Sequence, residues 1–274
     1  MKVEKTVIEP SERIEVFNFR ELWEYRELLC FLTWRNLKVR YSQTVIGVLW
    51  VVMQPVLTML VFSVLFGRFA KLPSEGAPYT IFVFVALLPW NLLATATSGA
   101  GVSLVVSRNL ISKVYFPRII VPIAKVMESV IDFCISCVVL FCLMLFYRIF
   151  PGINVLFLPF FILWTLVLAL GVGIWLSALN VKYRDVNYAI PFLVQIWLYA
   201  SPVAYTLNLV PKKWHWMYSL NPMVGIIEGF RWSLLGKGVG LVTVFPISLA
   251  VTFAIFITAI TYFSNSEKTF ADII

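Results

Sequence analysis

Along this chain the charged residues stand apart and the apolar residues run together. Charge-free stretches lie between Arg40 and Arg68, Glu75 and Arg108, Arg148 and Lys182, Asp185 and Lys212, and Lys237 and Glu267. Each holds the roughly 20 apolar residues that a helix needs to cross a bilayer. A sixth run, Val121–Tyr147, is as long but carries Lys125, Glu128 and Asp132 near its start. The pattern predicts an all-α membrane protein with six spans, at about 44–67, 79–101, 121–147, 155–180, 188–207 and 241–263. A 1–43 N-terminal arm precedes this 44–264 membrane domain, and a 265–274 tail follows it.

Two segments between the spans have patterns of their own. Over 19–40, Leu22, Tyr25, Leu28, Leu29 and Leu32 recur at the helical period. Arg20, Glu24, Glu27, Arg35 and Lys38 fall opposite, with Phe31 as an exception. With Trp23 and Trp34, such an amphipathic helix suits the membrane interface; the alternative is an ordinary surface helix. Residues 1–18 are polar and are expected to be poorly ordered. The 208–240 segment is too polar to span and too apolar for a plain loop. Trp214, Trp216, Tyr218, Phe230 and Trp232 surround Asn221-Pro222, Gly225, Gly229 and Gly236. It predicts two short re-entrant helices, broken near Asn221-Pro222 and dipping into the outer leaflet, where irregular backbone is tolerated only against protein or a water-filled cavity. Span two ends in a run of small residues, Ala94 to Gly101. These either let helices approach closely or line a wet surface with hydroxyls, and both readings stay open.

Composition agrees: 61% of residues are hydrophobic and 13% charged, against about 25% charged in soluble domains. A net charge of +8 would suit a nucleic-acid partner, but its placement argues against one. Fifteen of the 22 Lys and Arg residues fall before span one, in or beside the loop between spans two and three, between spans four and five, or after span six. That side is predicted to be cytoplasmic, with both termini inside, and to touch anionic lipid headgroups as well. The first 43 residues lack an apolar signal core, so span one is expected to be an uncleaved anchor.

The chemistry-bearing residues are few. Glu128 and Asp132 stand four apart on one helix face, and Lys125 lies three before Glu128. The intramembrane charges Glu128 and Asp132 form either a structural pair or subunit contact, or part of a transport path. A proton relay is disfavoured, because spans four to six offer no partner acid. His215 is the only histidine, which argues against Ser-His hydrolysis and against a zinc site. Three of the four cysteines lie in span three, where they serve as small apolar residues, and Cys134-x-x-Cys137 lacks the further ligands a metal needs. No G-x-x-x-x-G-K-[ST] occurs, so the chain is not expected to bind ATP or any other cofactor itself. Its 44 aromatic residues exceed what interfacial belts require. Those in mid-span, Phe62, Phe84, Trp90, Trp197 and Tyr199, can stack on sugar rings, or pack in the core or against lipid.

Six motifs, in order, resemble polysaccharide-exporting ABC permeases of the O-antigen, capsule or teichoic-acid type. They are Tyr41-Ser42-Gln43-Thr44-Val45-Ile46-Gly47-Val48-Leu49-Trp50 with Pro55; Leu88-Pro89-Trp90; Lys113-Val114-Tyr115-Phe116-Pro117-Arg118; Tyr183-Arg184-Asp185; Ser201-Pro202-Val203-Ala204-Tyr205; and Asn221-Pro222-Met223. Together they cover about 19–265. The resemblance implies the membrane subunit of an exporter in a bacterial inner membrane that moves lipid-linked polysaccharide. It implies a homodimer working with two copies of a separate ATPase subunit, which holds the ATP and Mg. It further implies a channel at the dimer interface, built mainly from spans one, two and five, with Trp50, Phe62, Trp90, Trp197 and Tyr199 as candidates for the substrate path. The N-terminal helix and the 102–120 loop would face the ATPase. In that loop Arg108, Lys113 and Arg118 can meet acidic groups of the partner, while Tyr115 and Phe116 fill an apolar cleft. The alternative for the loop is a hold on anionic lipid by its bases alone. The charged start of span three departs from the family pattern. A permease of the same fold for drugs or other lipids is the second reading. A membrane enzyme or ion-coupled carrier is the third, and it lacks the intramembrane His, Asp or Glu constellations it would need.

Overall fold

The protein is described by a computed structural model over residues 19–42, 48–238 and 241–273. The 1–18 part of the predicted arm, and Gln43 to Gly47 with the predicted start of span one, lie outside the described residues. Within them the chain is helical and contains no strand. A short helix α1 (Phe19–Glu24) leads into α2 (Arg26–Ser42). The first long apolar run forms α3 (Val48–Phe62), which loosens into a π-helical turn over Ser63–Phe69. The second forms α4 (Tyr79–Val106). A single helical turn, α5 (Arg108–Ile111), lies between it and α6 (Ile120–Phe146). Then come α7 (Leu158–Lys182), α8 (Val186–Tyr199), the one-turn α9 (His215–Tyr218), α10 (Pro222–Leu235) and α11 (Leu241–Ile273).

Five helices are long and apolar enough to cross a membrane: Leu49–Phe69, Tyr79–Val106, Ile120–Phe146, Ile153–Lys182 and Thr243–Glu267. The predicted fifth span differs. Instead of a helix through 188–207, α8 has 14 residues, about 21 Å at 1.5 Å per residue, short of a hydrocarbon core of about 30 Å. It stops at Tyr199, and turns over 200–205 take its place. Pro202 has no N–H and its ring crowds the preceding turn, which weakens the helix there; α8 nevertheless runs through Pro191, so the proline favours the break without forcing it. The sixth span differs in the other sense. Rather than ending near 263 before a tail, α11 continues to Ile273, and Phe270 is buried against Phe263 with ring centroids 5.4 Å apart.

The core is built around α4, the most buried of the long helices. It is apolar all round, as a helix enclosed by others must be, and it packs on α3, α6, α7, α8 and α10. Its small-residue run divides by face. Ala96, Thr97, Ala100 and Gly101 are buried, and a Cβ added to Gly173 of α7 would stand 2.7 Å from Ala100 Cβ. Thr95 is exposed on another side. The close-approach reading therefore holds for the buried face. Asn180 Nδ2–H, donating to the Gly101 carbonyl at 3.1 Å, ties the two helices where their backbones approach.

The 208–240 segment forms the two short helices α9 and α10. The break near Asn221-Pro222 is present: Asn221 caps α10 by accepting the Met223 N–H at 3.1 Å, and Pro222 sits in the first turn, where no N–H is needed. The protein enclosure that such irregular backbone requires is also present. Helix α10 is sheathed by protein, with twelve of its fourteen residues buried against α4, α7 and α11. Gly229 makes this possible, because a Cβ there would lie 2.0 Å from Phe161 Cε1. Gly229→Val is therefore expected to displace α10 from α7 and cost about 3 kcal/mol or more, at the upper end of overpacking costs. The check is the melting temperature of the detergent-purified protein; a melt within 2 °C (roughly) of wild type would refute the close packing.

At the opposite end of the bundle, a second cluster gathers Leu32, Leu104, Phe116, Ile120, Val181, Phe263 and Phe270. The apolar arc of the N-terminal helices, Leu22, Tyr25, Leu28 and Leu29, packs onto it, while Trp23, Phe31 and Trp34 stay exposed. This helix thus lies on the chain's own helix ends with one face and keeps an aromatic face outward.

Candidate functional site

A cleft opens between α3, α4 and α6. Its polar wall consists of Gln54 from α3, Asn91 and Thr95 from α4, and Ser129, Asp132 and Ser136 from α6, with Arg40 of α2 at one edge. Leu88, Leu92, Phe133 and Pro55 make the apolar floor, and Trp50 stands at the margin. Asn91 and Thr95 are one helical turn apart, as are Asp132 and Ser136, so helical spacing alone aligns each pair on one face.

The two acids of α6 form an ion cluster. Lys125 Nζ donates to Glu128 Oε2 at 2.8 Å, the i,i+3 pair that the sequence indicates. Arg40 Nη1 reaches Asp132 Oδ2 at 2.7 Å and Glu128 Oε1 at 3.5 Å, and the Tyr41 hydroxyl donates to Asp132 Oδ1 at 2.6 Å. Burial alone would lower the Arg40 pKa, but the charges and hydrogen bond of Asp132, with Glu128, outweigh it and raise the value. Tyr41 is pushed up to about 12, first by burial and then by its hydrogen bond to Asp132, so it stays a donor at neutral pH. Two acids and two bases balance, which keeps charge at this depth affordable. The cluster also fastens the end of α2 to α6, 92 residues away in sequence. That distance is why Arg40 and Tyr41 were not legible as partners of the acids.

The five aromatic residues singled out from the sequence separate into two groups. Trp90, 3% exposed, packs edge-to-face on the half-buried Trp197, ring centroids 6.2 Å apart, and Phe62 is partly buried at the core margin. Trp50 and Tyr199 are 54% and 61% exposed on the protomer surface. Trp50 alone of the five borders the cleft. Trp197 is held in place by its Nε1–H, which donates to Asn221 Oδ1 at 2.8 Å. The same side chain's Nδ2 donates to the Ala200 carbonyl at 3.2 Å and Ser201 Oγ at 3.0 Å. Asn221 thus joins the broken end of α8 to the start of α10.

The bend after α8 rests on a pair that the sequence reading passed over. Glu228 and Arg231 of α10 are buried, with Arg231 Nη1 2.9 Å from Glu228 Oε1. The Arg231 guanidinium also donates to the carbonyls of Tyr205 at 3.2 Å and Val203 at 3.1 Å, and its carbon lies 3.7 Å from the Phe82 ring centroid. The Tyr79 hydroxyl donates to the Ala204 carbonyl. Carbonyls left without helical partners by the break are thereby satisfied, as they must be away from water. Arg231, counted from sequence among the bases outside the spans, is interior, and an acid does lie beside it. The i,i+3 spacing of Glu228 and Arg231 was the available signal.

The connection between α4 and α6 also resolves unevenly. Arg108 and Lys113 are exposed, and Tyr115 is 86% exposed. Phe116, expected beside Tyr115 in a partner's cleft, is instead 4% exposed and fills the chain's own second cluster. Arg118 is likewise engaged within the chain: its backbone N–H donates to Glu267 Oε1 at 3.0 Å and its guanidinium to the Glu267 carbonyl. The outward chemistry of this elbow is therefore Arg108, Lys113 and Tyr115.

A helical membrane bundle with a polar, charge-balanced cleft and an aromatic, basic elbow at one end is the build of a transport subunit. The chain belongs to the ABC-2 type transporter family, which it matches over residues 27–235. It is 33% identical over 214 residues to the O-antigen export system permease protein RfbA of Myxococcus xanthus, covering 77% of this chain and 82% of that protein. A protein of the same name from Klebsiella pneumoniae is 26% identical over 249 residues, 90% of this chain and 95% of the relative. The polysialic acid transport protein KpsM of Escherichia coli is 20% identical over 198 residues, 71% and 76% of the two chains.

Proposed function

We propose that this permease exports lipid-linked polysaccharide across a bacterial inner membrane, as a homodimer driven by two copies of a separate ATPase. The observation that carries the reading is the similarity to O-antigen export permeases along nearly the whole chain, with a capsule-polymer transporter among the more distant relatives. The surface of the protomer supports a second copy. On α3, Trp50, Leu57, Leu60 and Val61 are exposed, and on α8, Tyr188, Phe192, Leu193, Ile196 and Tyr199 are exposed. A helix as short as α8 puts its ends within the bilayer, where backbone ends need protein or water beside them rather than lipid. The Lys and Arg excess supports a cytoplasmic basic end with both termini there, and hence an Arg108, Lys113 and Tyr115 elbow toward the ATPase.

The purified chain alone is expected to hydrolyse no ATP. Reconstituted with its ATPase in proteoliposomes, it is expected to show hydrolysis stimulated by glycan-bearing polyprenyl diphosphate and to move that lipid's glycan across the membrane. In intact cells, a cysteine placed at Lys71 or Lys212 should be labelled from outside and one at Lys113 should not. Stimulation by hydrophobic drugs with no response to the glycan-bearing lipid would overturn the polysaccharide reading.

A further inference from the structure

The cleft between α3, α4 and α6 holds polar groups that the protein itself does not use. The carboxamides of Gln54 and Asn91 both face it, and among the described residues neither amide has a hydrogen-bond partner. Thr95 spends its hydroxyl proton on the Asn91 carbonyl at 2.7 Å, which leaves its oxygen to accept. Pro55 has no N–H to give the Val51 carbonyl one turn earlier, and both residues line the cleft. Donors and acceptors are thus available together on the cleft wall.

Charge decides what kind of ligand this suits. Among the described residues, the charged side chains lining the cleft are Arg40 and Asp132, paired at 2.7 Å inside the balanced cluster with Lys125 and Glu128. No net positive charge remains to draw a phosphate. Free amides, a hydroxyl acceptor and a half-exposed indole edge instead fit an uncharged, hydroxyl-rich group: amides both donate to and accept from hydroxyls, and an aromatic face stacks on a sugar ring. Trp50 and Gln54 lie in the first half of α3, and Asn91 and Thr95 near the middle of α4.

We infer that this cleft is a sugar-binding subsite: Gln54 and Asn91 hydrogen-bond hydroxyls of the glycan, Thr95 and the freed Val51 carbonyl accept from them, and Trp50 stacks at the margin. The inference rests on the polysaccharide reading and adds that the subsite reads sugar hydroxyls rather than the lipid diphosphate.

The test uses the permease with its ATPase in proteoliposomes, comparing wild type with the double variant Gln54→Leu/Asn91→Leu. Both changes keep size and raise apolarity, so insertion is not compromised. Thr58→Val is the control, because the Thr58 hydroxyl is already bonded to the Gln54 carbonyl of its own helix at 2.9 Å. The concentration of glycan-bearing polyprenyl diphosphate that half-stimulates ATP hydrolysis is expected to rise about tenfold in the double variant, the scale of two neutral hydrogen bonds. It should stay unchanged in Thr58→Val. The response to polyprenyl diphosphate without glycan should be the same in all three. An unchanged half-stimulating concentration overturns the inference, and so does an equal loss toward both lipids, which would make the cleft a phosphate reader. If wild type ignores the glycan-bearing lipid altogether, the functional reading fails and the subsite with it; if wild type responds and the double variant matches it, the subsite alone fails.

Discussion

Arg231→Met is expected to leave little folded protein. Its guanidinium is 1% exposed and serves Glu228 and the carbonyls of Val203 and Tyr205 at once. Methionine keeps much of the volume and removes every donor. Glu228 then retains a buried carboxylate without its counter-charge, which costs about 3–5 kcal/mol when one partner of a buried pair is deleted. Two carbonyls lose their donor in addition, at about 1–3 kcal/mol each where water cannot replace it. The sum rivals the whole stability of an ordinary domain, about 5–15 kcal/mol. The double change Glu228→Gln/Arg231→Met removes the stranded charge but not the stranded carbonyls, so it should recover only part of the loss. Yield and melting temperature of detergent-purified protein distinguish the three variants. A single variant that accumulates and melts like wild type would show that this guanidinium does not hold the bend.

Phe116→Ala and Tyr115→Ala, adjacent in sequence, are expected to fail in different ways. Phe116 belongs to the second buried cluster, together with Leu32, Ile120, Phe263 and Phe270. Truncating it empties a site where α2, α6 and α11 meet, with an expected cost of about 3–5 kcal/mol and a matching fall in melting temperature. Tyr115 points away from the protein and should change stability by no more than about 0.5 kcal/mol. If it enters a cleft of the ATPase, its loss removes an aromatic anchor of the kind worth about 2 kcal/mol or more at interfaces. Transport should then fall severalfold, with the protein still folded and inserted. Wild-type export from Tyr115→Ala would remove the elbow's tyrosine from the coupling contact. A Phe116→Ala protein with unaltered melting would contradict the burial of that ring.

The proposed glycan subsite and coupling elbow draw on residues that the sequence had in part singled out. Trp50, Arg108, Lys113 and Tyr115 are on the surface where a cargo or partner can reach them. Phe116, Arg118 and Trp90 are engaged in the chain's own packing. In sequence, an aromatic residue that packs inward reads the same as one that faces outward, because each apolar run here lacks the polar face that would give its rotation.

What the sequence determined by itself is what local chemistry dictates. Long charge-free runs make helices that cross a membrane, because a backbone in lipid must satisfy its own hydrogen bonds. Asn221-Pro222 starts a helix, since the one side chain caps and the other needs no N–H in the first turn. Lys125 pairs with Glu128 because three residues bring them to one face. The tertiary structure decided the rest. It placed α4 at the centre, gave Asp132 its partners Arg40 and Tyr41, drew α10 and its ion pair inside, and ended α8 at Tyr199 because Arg231, Tyr79 and Asn221 receive the carbonyls beyond it. These outcomes pair groups that lie from about 20 to more than 120 residues apart. No periodicity within one helix encodes them, for they follow from which apolar faces meet and which polar groups must then be satisfied where no water reaches.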